Sequence, residues 1–183
     1  MTVLDKVELR AAMRRLRKDL AAANPNAAAR VTAFVEDLPS SSLVAIYHAM
    51  ASEIDGAPLA LALIQAGRML CLPVVEQRNA PLVFRRWTVG DPLEMDAGGC
   101  EAPLPLAEVV VPELILTPLL AFDDTGTRLG QGGGYYDRTF AALPHITRIG
   151  LAYAGQRVER LPVEPHDIRL HGVLSETGYT PFA

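Results

Sequence analysis

Hydrophobic residues recur along this chain at two different spacings, and the switching between them predicts the fold. Over residues 3–23, Leu9, Met13, Leu16 and Leu20 fall four, three and four apart, on one face of a helix. Lys6, Arg10, Arg14 and Arg17 keep helical intervals of their own and form a second, basic stripe. From pattern alone, such a stripe is more often a solvated face than a ligand site. Asn24-Pro25-Asn26 ends the helix, and a second helix fits Ala27–Leu38, before Pro39 and three serines.

Leu43–Tyr47 is a continuous apolar run of strand length. Asp55, as a candidate N-cap, and Pro58, in the first turn, open a helix over Leu59–Ala66 that stops at Gly67. Met69–Val75 then returns as a strand. Leu82–Thr88 is a polar-tolerant strand and one arm of a possible hairpin. Gly90–Pro105, rich in Gly, Pro and acid, is expected as an irregular insert beside the ligand. Glu113–Thr117 is a short central strand, and Ile146–Tyr153 and Gly172–Ser175 supply two more. Strand–helix–strand order implies right-handed crossovers and parallel pairing. The predicted class is α/β: a three-layer α/β/α sandwich with a mostly parallel, Rossmann-like open sheet, in a single domain over residues 1–183.

The segment Phe122–Arg138 departs from both periods. It holds five glycines (Gly126, Gly130, Gly132, Gly133, Gly134) among two arginines, three aspartates and the pair Tyr135-Tyr136. Backbone without side-chain cover can turn its N–H groups onto an anion, more so where a helix follows. Tyr135, Tyr136, Phe140 and Leu143 place such a helix from about Gly134 to Ala142. Neither common phosphate motif is present: no lysine follows Lys18, so there is no Walker A loop, and Tyr135 stands where a dinucleotide fingerprint needs its third glycine. Arg128 adds a forked donor suited to phosphate oxygens, and Asp137 a carboxylate of the kind Mg²⁺ favours. Standing alone, Asp137 and Asp167 are more often helix caps or solvated loop residues, Glu53 a loop acid, and His48 a structural strand-end residue.

Composition narrows the function classes. A net charge of −4 gives no general reason to expect nucleic acid or an anionic membrane as partner. Two cysteines supply neither a zinc spacing nor a disulfide framework, and Cys71, in an apolar run, reads as core. The charged N-terminal residues do not read as a signal peptide, and a monomer in the cytoplasm is the expectation.

The string from Asp123 to Arg138 resembles the signature of the 5-formyltetrahydrofolate cyclo-ligases, also called 5,10-methenyltetrahydrofolate synthetases. The similarity extends to Lys6-x-x-x-Arg10, Glu53-Ile54-Asp55, Leu72-Pro73-Val74 and Gln156 through Asp167. The resemblance implies ATP and 5-formyltetrahydrofolate as substrates and Mg²⁺ as metal. It implies an ATP site of Lys6, Arg10, Arg128, Leu129, Gly130, Gln131, Gly132, Gly133, Gly134, Tyr135 and Tyr136. Folate would be held by His48, Glu53, Gly132, Gly134 and Tyr135, with Glu53 on the pterin. Mg²⁺ would lie at Asp137 and Asp167, and Arg128 and Tyr135 would be catalytic, Arg128 as phosphate clamp. The chain departs from the family pattern at Gly56, where Thr is usual, at Gly133, where some members are basic, and at Glu101-Ala102-Pro103. Gly56 and the altered Glu101 segment are the basis for one rival expectation, a noncatalytic folate- or nucleotide-binding relative.

Overall fold

The computed structural model describes residues 6–182, so the predicted helix start at residues 3–5 lies outside the described residues. In chain order the elements are α1 (Lys6–Ala23), α2 (Ala27–Arg30) running into a 3₁₀ segment (Val31–Asp37), β1 (Leu43–Ala45), α3 (Ala57–Gln65) and β2 (Met69–Val74). There follow β3 (Val83–Trp87), β4 (Leu93–Met95), β5 (Glu101–Pro103), β6 (Val109–Val110), β7 (Leu114–Pro118), β8 (Ala121–Phe122) and β9 (Arg128–Leu129). The chain closes with α4 (Tyr135–Ala142), β10 (Thr147–Leu151), β11 (Gly172–Ser175) and β12 (Gly178–Pro181).

Eight strands make one sheet in the order β12-β11-β10-β7-β1-β2-β3-β6. The five from β11 to β2 are parallel; β12 pairs antiparallel with β11 on one side, and on the other β3 pairs antiparallel with β2 and β6 antiparallel with β3. Because strand side chains alternate, each parallel strand feeds two cores. Val44, Leu70, Leu72, Leu114 and Leu116 face α2 and α3, where Leu59 and Leu63 are fully buried. Leu43, Ala45, Cys71 and Ile115 face the other layer, where Phe140 of α4 is buried. Full burial of one such leucine or phenylalanine contributes about 1.5–3 kcal/mol.

The chain enters the sheet at β1, moves outward on one side through α3 to β2, then crosses to β7 on the other flank of β1 and continues through α4 to β10. With α3 and α4 on opposite faces, the loops after β1 and β7 diverge at the carboxyl ends of their strands. That divergence opens the crevice in which open α/β sheets place ligands.

Four local expectations are corrected. The second helix is α-helical for one turn only and then tightens into 3₁₀ geometry, with a kink at Phe34. Arg68 reaches the carbonyls of Val35 and Leu38 there, satisfying oxygens the helix end leaves without donors. The N-cap of α3 is Gly56 rather than Asp55, although Asp55 Oδ1 still accepts the Ala57 N–H. The Gly90–Pro105 insert contains an antiparallel hairpin of β4 and β5. Asp96 organises it: Oδ1 accepts the N–H groups of Gly98 and Cys100, and Oδ2 accepts that of Val75 at the end of β2. Finally, β12 forms an edge strand where no strand was expected; its exposed Thr180 and Pro181 carry no apolar signal.

Candidate active site

The glycine segment is held from beneath by a buried acid. Asp123 accepts the N–H groups of Thr125, Thr127 and Leu161 and the Thr125 hydroxyl, fixing the turn between β8 and β9. Burial works to raise its pKa, but these hydrogen bonds outweigh it and leave the carboxyl below its ordinary value. Past β9 the chain runs through Gly130–Gly134 into α4. Gly132 (φ 104°) and Gly134 (φ 66°) adopt the positive-φ conformation that glycine tolerates best, and Gly134 is the N-cap of α4. Gln131, Gly132 and Gly133 are exposed, so the bend is open rather than packed shut.

α1 lies against this bend with its basic stripe turned inward. Lys6, Arg10, Arg14, Arg17 and Lys18 all line the cavity. Arg10 donates to the Gly130 carbonyl (3.1 Å), and a Cβ on Gly132 would lie 3.4 Å from the Arg10 guanidinium carbon. Arg14 donates to Gln131 Oε1 (3.0 Å). Lys6 reaches Asp167 (3.1 Å) and Glu164 (3.2 Å). The solvated-face expectation for the stripe holds only in part: Arg14 is exposed, but Lys6 and Arg10 are half-buried and Arg17 is buried, as Leu9 and Met13 pack on Leu120, Ala121 and Leu129.

All the residues anticipated for ATP, folate and metal line one cavity of about 1100 Å³, from His48 and Glu53 across to Asp137 and Asp167. Leu129 contributes mainly as packing, being 3% exposed. Glu53 Oε1 accepts from Arg17 (3.1 Å), and Oε2 from the Met50 N–H (2.9 Å). Behind it Tyr47 is buried; burial, then the Glu53 and Tyr136 charges, push its phenol well above the usual value, so it stays a neutral donor, here to the Ile54 carbonyl.

The Arg128 guanidinium is already engaged. It donates to Asp137 Oδ1 (2.6 Å) and to the Ile168 carbonyl, and it lies 4.7 Å from the Phe140 ring centre. Asp137 Oδ1 also accepts the Ile168 N–H (3.2 Å). Serving as a phosphate clamp would require breaking this arrangement. Asp167 Oδ2 accepts from Lys6 and from the Glu164 N–H (2.8 Å). Burial raises the Asp167 pKa, but those bonds, Lys6 and His166 bring it below normal.

Potential ligand atoms of Glu164, His166 and Asp167 lie within 4.8 Å of one another, and Asp137 stands outside that group. Asp137, Asp167 and Glu164 all line the cavity, and carboxylate oxygens suit a hard cation such as Mg²⁺. Sequence reasoning did not name Arg14, Arg17 and Glu164, which line the same cavity. For Arg14 and Arg17 the signal was present in the basic stripe.

The 5-formyltetrahydrofolate cyclo-ligase family model matches residues 4–176. The chain belongs to this family. The cyclo-ligase of Escherichia coli K12 is 37% identical over 142 residues, covering 72% of this chain and 76% of that protein. That of Haemophilus influenzae is 31% identical over 188 residues, covering 95% and 99%. Among solved structures, Aquifex aeolicus 5,10-methenyltetrahydrofolate synthetase superposes with a TM-score of 0.75 at 29% identity, over 96% of this chain and 92% of that one. The Mycoplasma pneumoniae synthetase, at 21% identity and a TM-score of 0.73, shares the fold.

Gly56 and Glu101 both make close local contacts. A Cβ at Gly56 would stand 3.2 Å from the Tyr47 carbonyl, so α3 starts tight against the chain leaving β1. Glu101, on the β5 arm, lies 3.1 Å from His48 Nδ1, and both line the cavity. Among the described residues, no helix is long and apolar enough to cross a membrane.

Proposed function

We propose that this enzyme cyclises 5-formyltetrahydrofolate to 5,10-methenyltetrahydrofolate, consuming ATP and releasing ADP and phosphate. The observation that supports this most is the convergence, in one cavity, of an open glycine bend, a cationic helix and a buried acid–guanidinium pair. The bend and helix suit a triphosphate; the acid suits the N–H and amino edge of a pterin.

The formyl oxygen attacks the γ-phosphorus as the bond to ADP breaks, leaving an N5 iminium phosphate. N10 of the same molecule then bonds to the formyl carbon, the carbon–oxygen bond breaks, phosphate departs and N10 loses its proton. No protein nucleophile is required, and the protein's work is alignment and charge stabilisation. Lys6, Arg10 and Arg14, which line the cavity, would face the phosphates together with the Gly130–Gly134 amides, and Tyr135 and Tyr136, which line it too, would contact the substrates between them. Arg128 acts through Asp137, whose carboxylate it fixes. Asp137 and Asp167, with Glu164 beside them, would hold Mg²⁺, which supplies neutralisation of phosphate charge. His48 and Glu53 take the folate end.

Purified protein mixed with 5-formyltetrahydrofolate, Mg²⁺ and ATP should show an ATP-dependent rise in methenyl absorbance that a chelator abolishes. Folded protein that gives no rise would refute this reading.

A further inference from the structure

α1 is half-exposed along most of its length, and its one buried residue is charged: Arg17 is 3% exposed. A guanidinium is not buried without partners, because the unpaired charge would cost several kcal/mol. Arg17 has three. Its Nε donates to the Ser52 hydroxyl (3.1 Å), and its Nη1 to Glu53 Oε1 (3.1 Å) and to the Leu119 carbonyl (3.3 Å). The Leu119 carbonyl is shared with Gln156, itself buried, whose Nε2 donates to it at 2.8 Å. The guanidinium therefore ties α1 to the loop after β1 and to the chain leaving β7, the two loops that flank the crevice.

The consequence falls on Glu53. An ionised carboxylate has about four acceptor positions, two on each oxygen. Arg17 takes one on Oε1 and the Met50 N–H takes one on Oε2. One position per oxygen remains, the arrangement a pair of parallel N–H donors requires. With its side chain 8% exposed, the carboxylate is also restricted in how it can turn. We propose that Arg17 is a positioning residue that orients Glu53 for two-point recognition of the folate's pterin edge. The proposal rests on the reading of this cavity as the cyclo-ligase site, with Glu53 at its folate end.

Arg17→Met and Arg17→Lys test it in steady-state kinetics, with wild type alongside. For Arg17→Met, the KM for 5-formyltetrahydrofolate should rise about tenfold to a hundredfold, the scale of losing a charge-assisted hydrogen bond to the substrate. Its kcat and its KM for ATP should stay within about threefold, the signature of lost uniform substrate binding. Arg17→Lys retains charge but not the planar fork, and should fall between. A merely structural role predicts the opposite split, with less active enzyme and an unchanged folate KM. Equal rises in both KM values would make Arg17 a docking anchor for α1. Either result overturns the proposal. If Arg17→Met does not fold, Arg17→Lys carries the same test. A wild-type protein without turnover would refute the function itself, whereas an active wild type with a folate KM indifferent to Arg17 would refute this inference alone.

Discussion

Asp137→Asn separates the role of the Asp137 charge from its role in packing. The carboxylate faces an Arg128 side chain that is 6% exposed, while its own side chain is 22% exposed. Deleting one member of a fully buried pair costs about 3–5 kcal/mol. Asparagine, however, keeps Oδ1 as an acceptor for Arg128 Nη2 and the Ile168 N–H, so the hydrogen bonds persist in neutral form. What is lost is charge assistance, about 1–2 kcal/mol. In a domain of this size, that lowers Tm by about 2–8 °C and leaves the protein folded at room temperature. Activity should suffer far more, because the carboxylate proposed to hold Mg²⁺ disappears. A fall in kcat of about a hundredfold or more is expected, the scale seen when one electrostatic contact to a transition state is removed. The KM for 5-formyltetrahydrofolate should hold within about threefold, since Glu53 is untouched, and the Mg²⁺ concentration giving half-maximal rate should rise. Thermal melts, initial rates and a Mg²⁺ titration on one preparation decide the matter. Wild-type kcat with an unchanged Mg²⁺ requirement would refute both the metal role and the reasoning from charge.

Lys6→Gln and Arg10→Gln should raise the KM for ATP about tenfold with little change in the folate KM, because each removes one charged contact at the phosphate end; initial rates at varied ATP would expose an error as equal KM values. Gly126→Ala should destabilise by about 2–3 kcal/mol, since Gly126 has φ 80° and its Cβ would stand 2.6 Å from the Leu170 carbonyl; a denaturant-melt loss below about 1 kcal/mol would contradict the crowding. Asp123 has a folded pKa below its unfolded value, so its stabilising contribution is complete above the unfolded value of about 3.9 and is lost as pH falls through the folded one. Asp123→Asn should therefore lower Tm at neutral pH and flatten its decline between about pH 5 and pH 2; a parallel decline in both proteins would rule out that linkage.

Local signals made much of this protein legible in its sequence. Apolar runs at Leu43–Tyr47, Met69–Val75 and Glu113–Thr117 marked strands buried on both faces, and all three lie in the parallel core. The glycine string marked a bend followed by a helix, and α4 begins at Tyr135 as its periodicity required. These features depend on residues within a few positions of one another: alternation, helical spacing, and the positive φ that glycine tolerates. Strand order did not follow from them, nor did the edge strand β12 or the hairpin of β4 and β5, whose arms are only three residues long and carry no clear alternation.

The site divides in the same way. Sequence alone singled out the glycine bend and its flanking charges as the candidate site, because those residues are written consecutively. Only the tertiary structure decided how those charges are used. It turned the basic stripe of α1 toward the cavity, gave Arg128 to Asp137 in place of an open approach to phosphate, and seated Arg17 on Glu53. The contacts responsible join residues 36, 120 and 161 positions apart, as in Arg17 with Glu53, Arg10 with Gly130 and Lys6 with Asp167. A charge selects its partner by distance and desolvation, and neither exists until the sheet has brought those loops together.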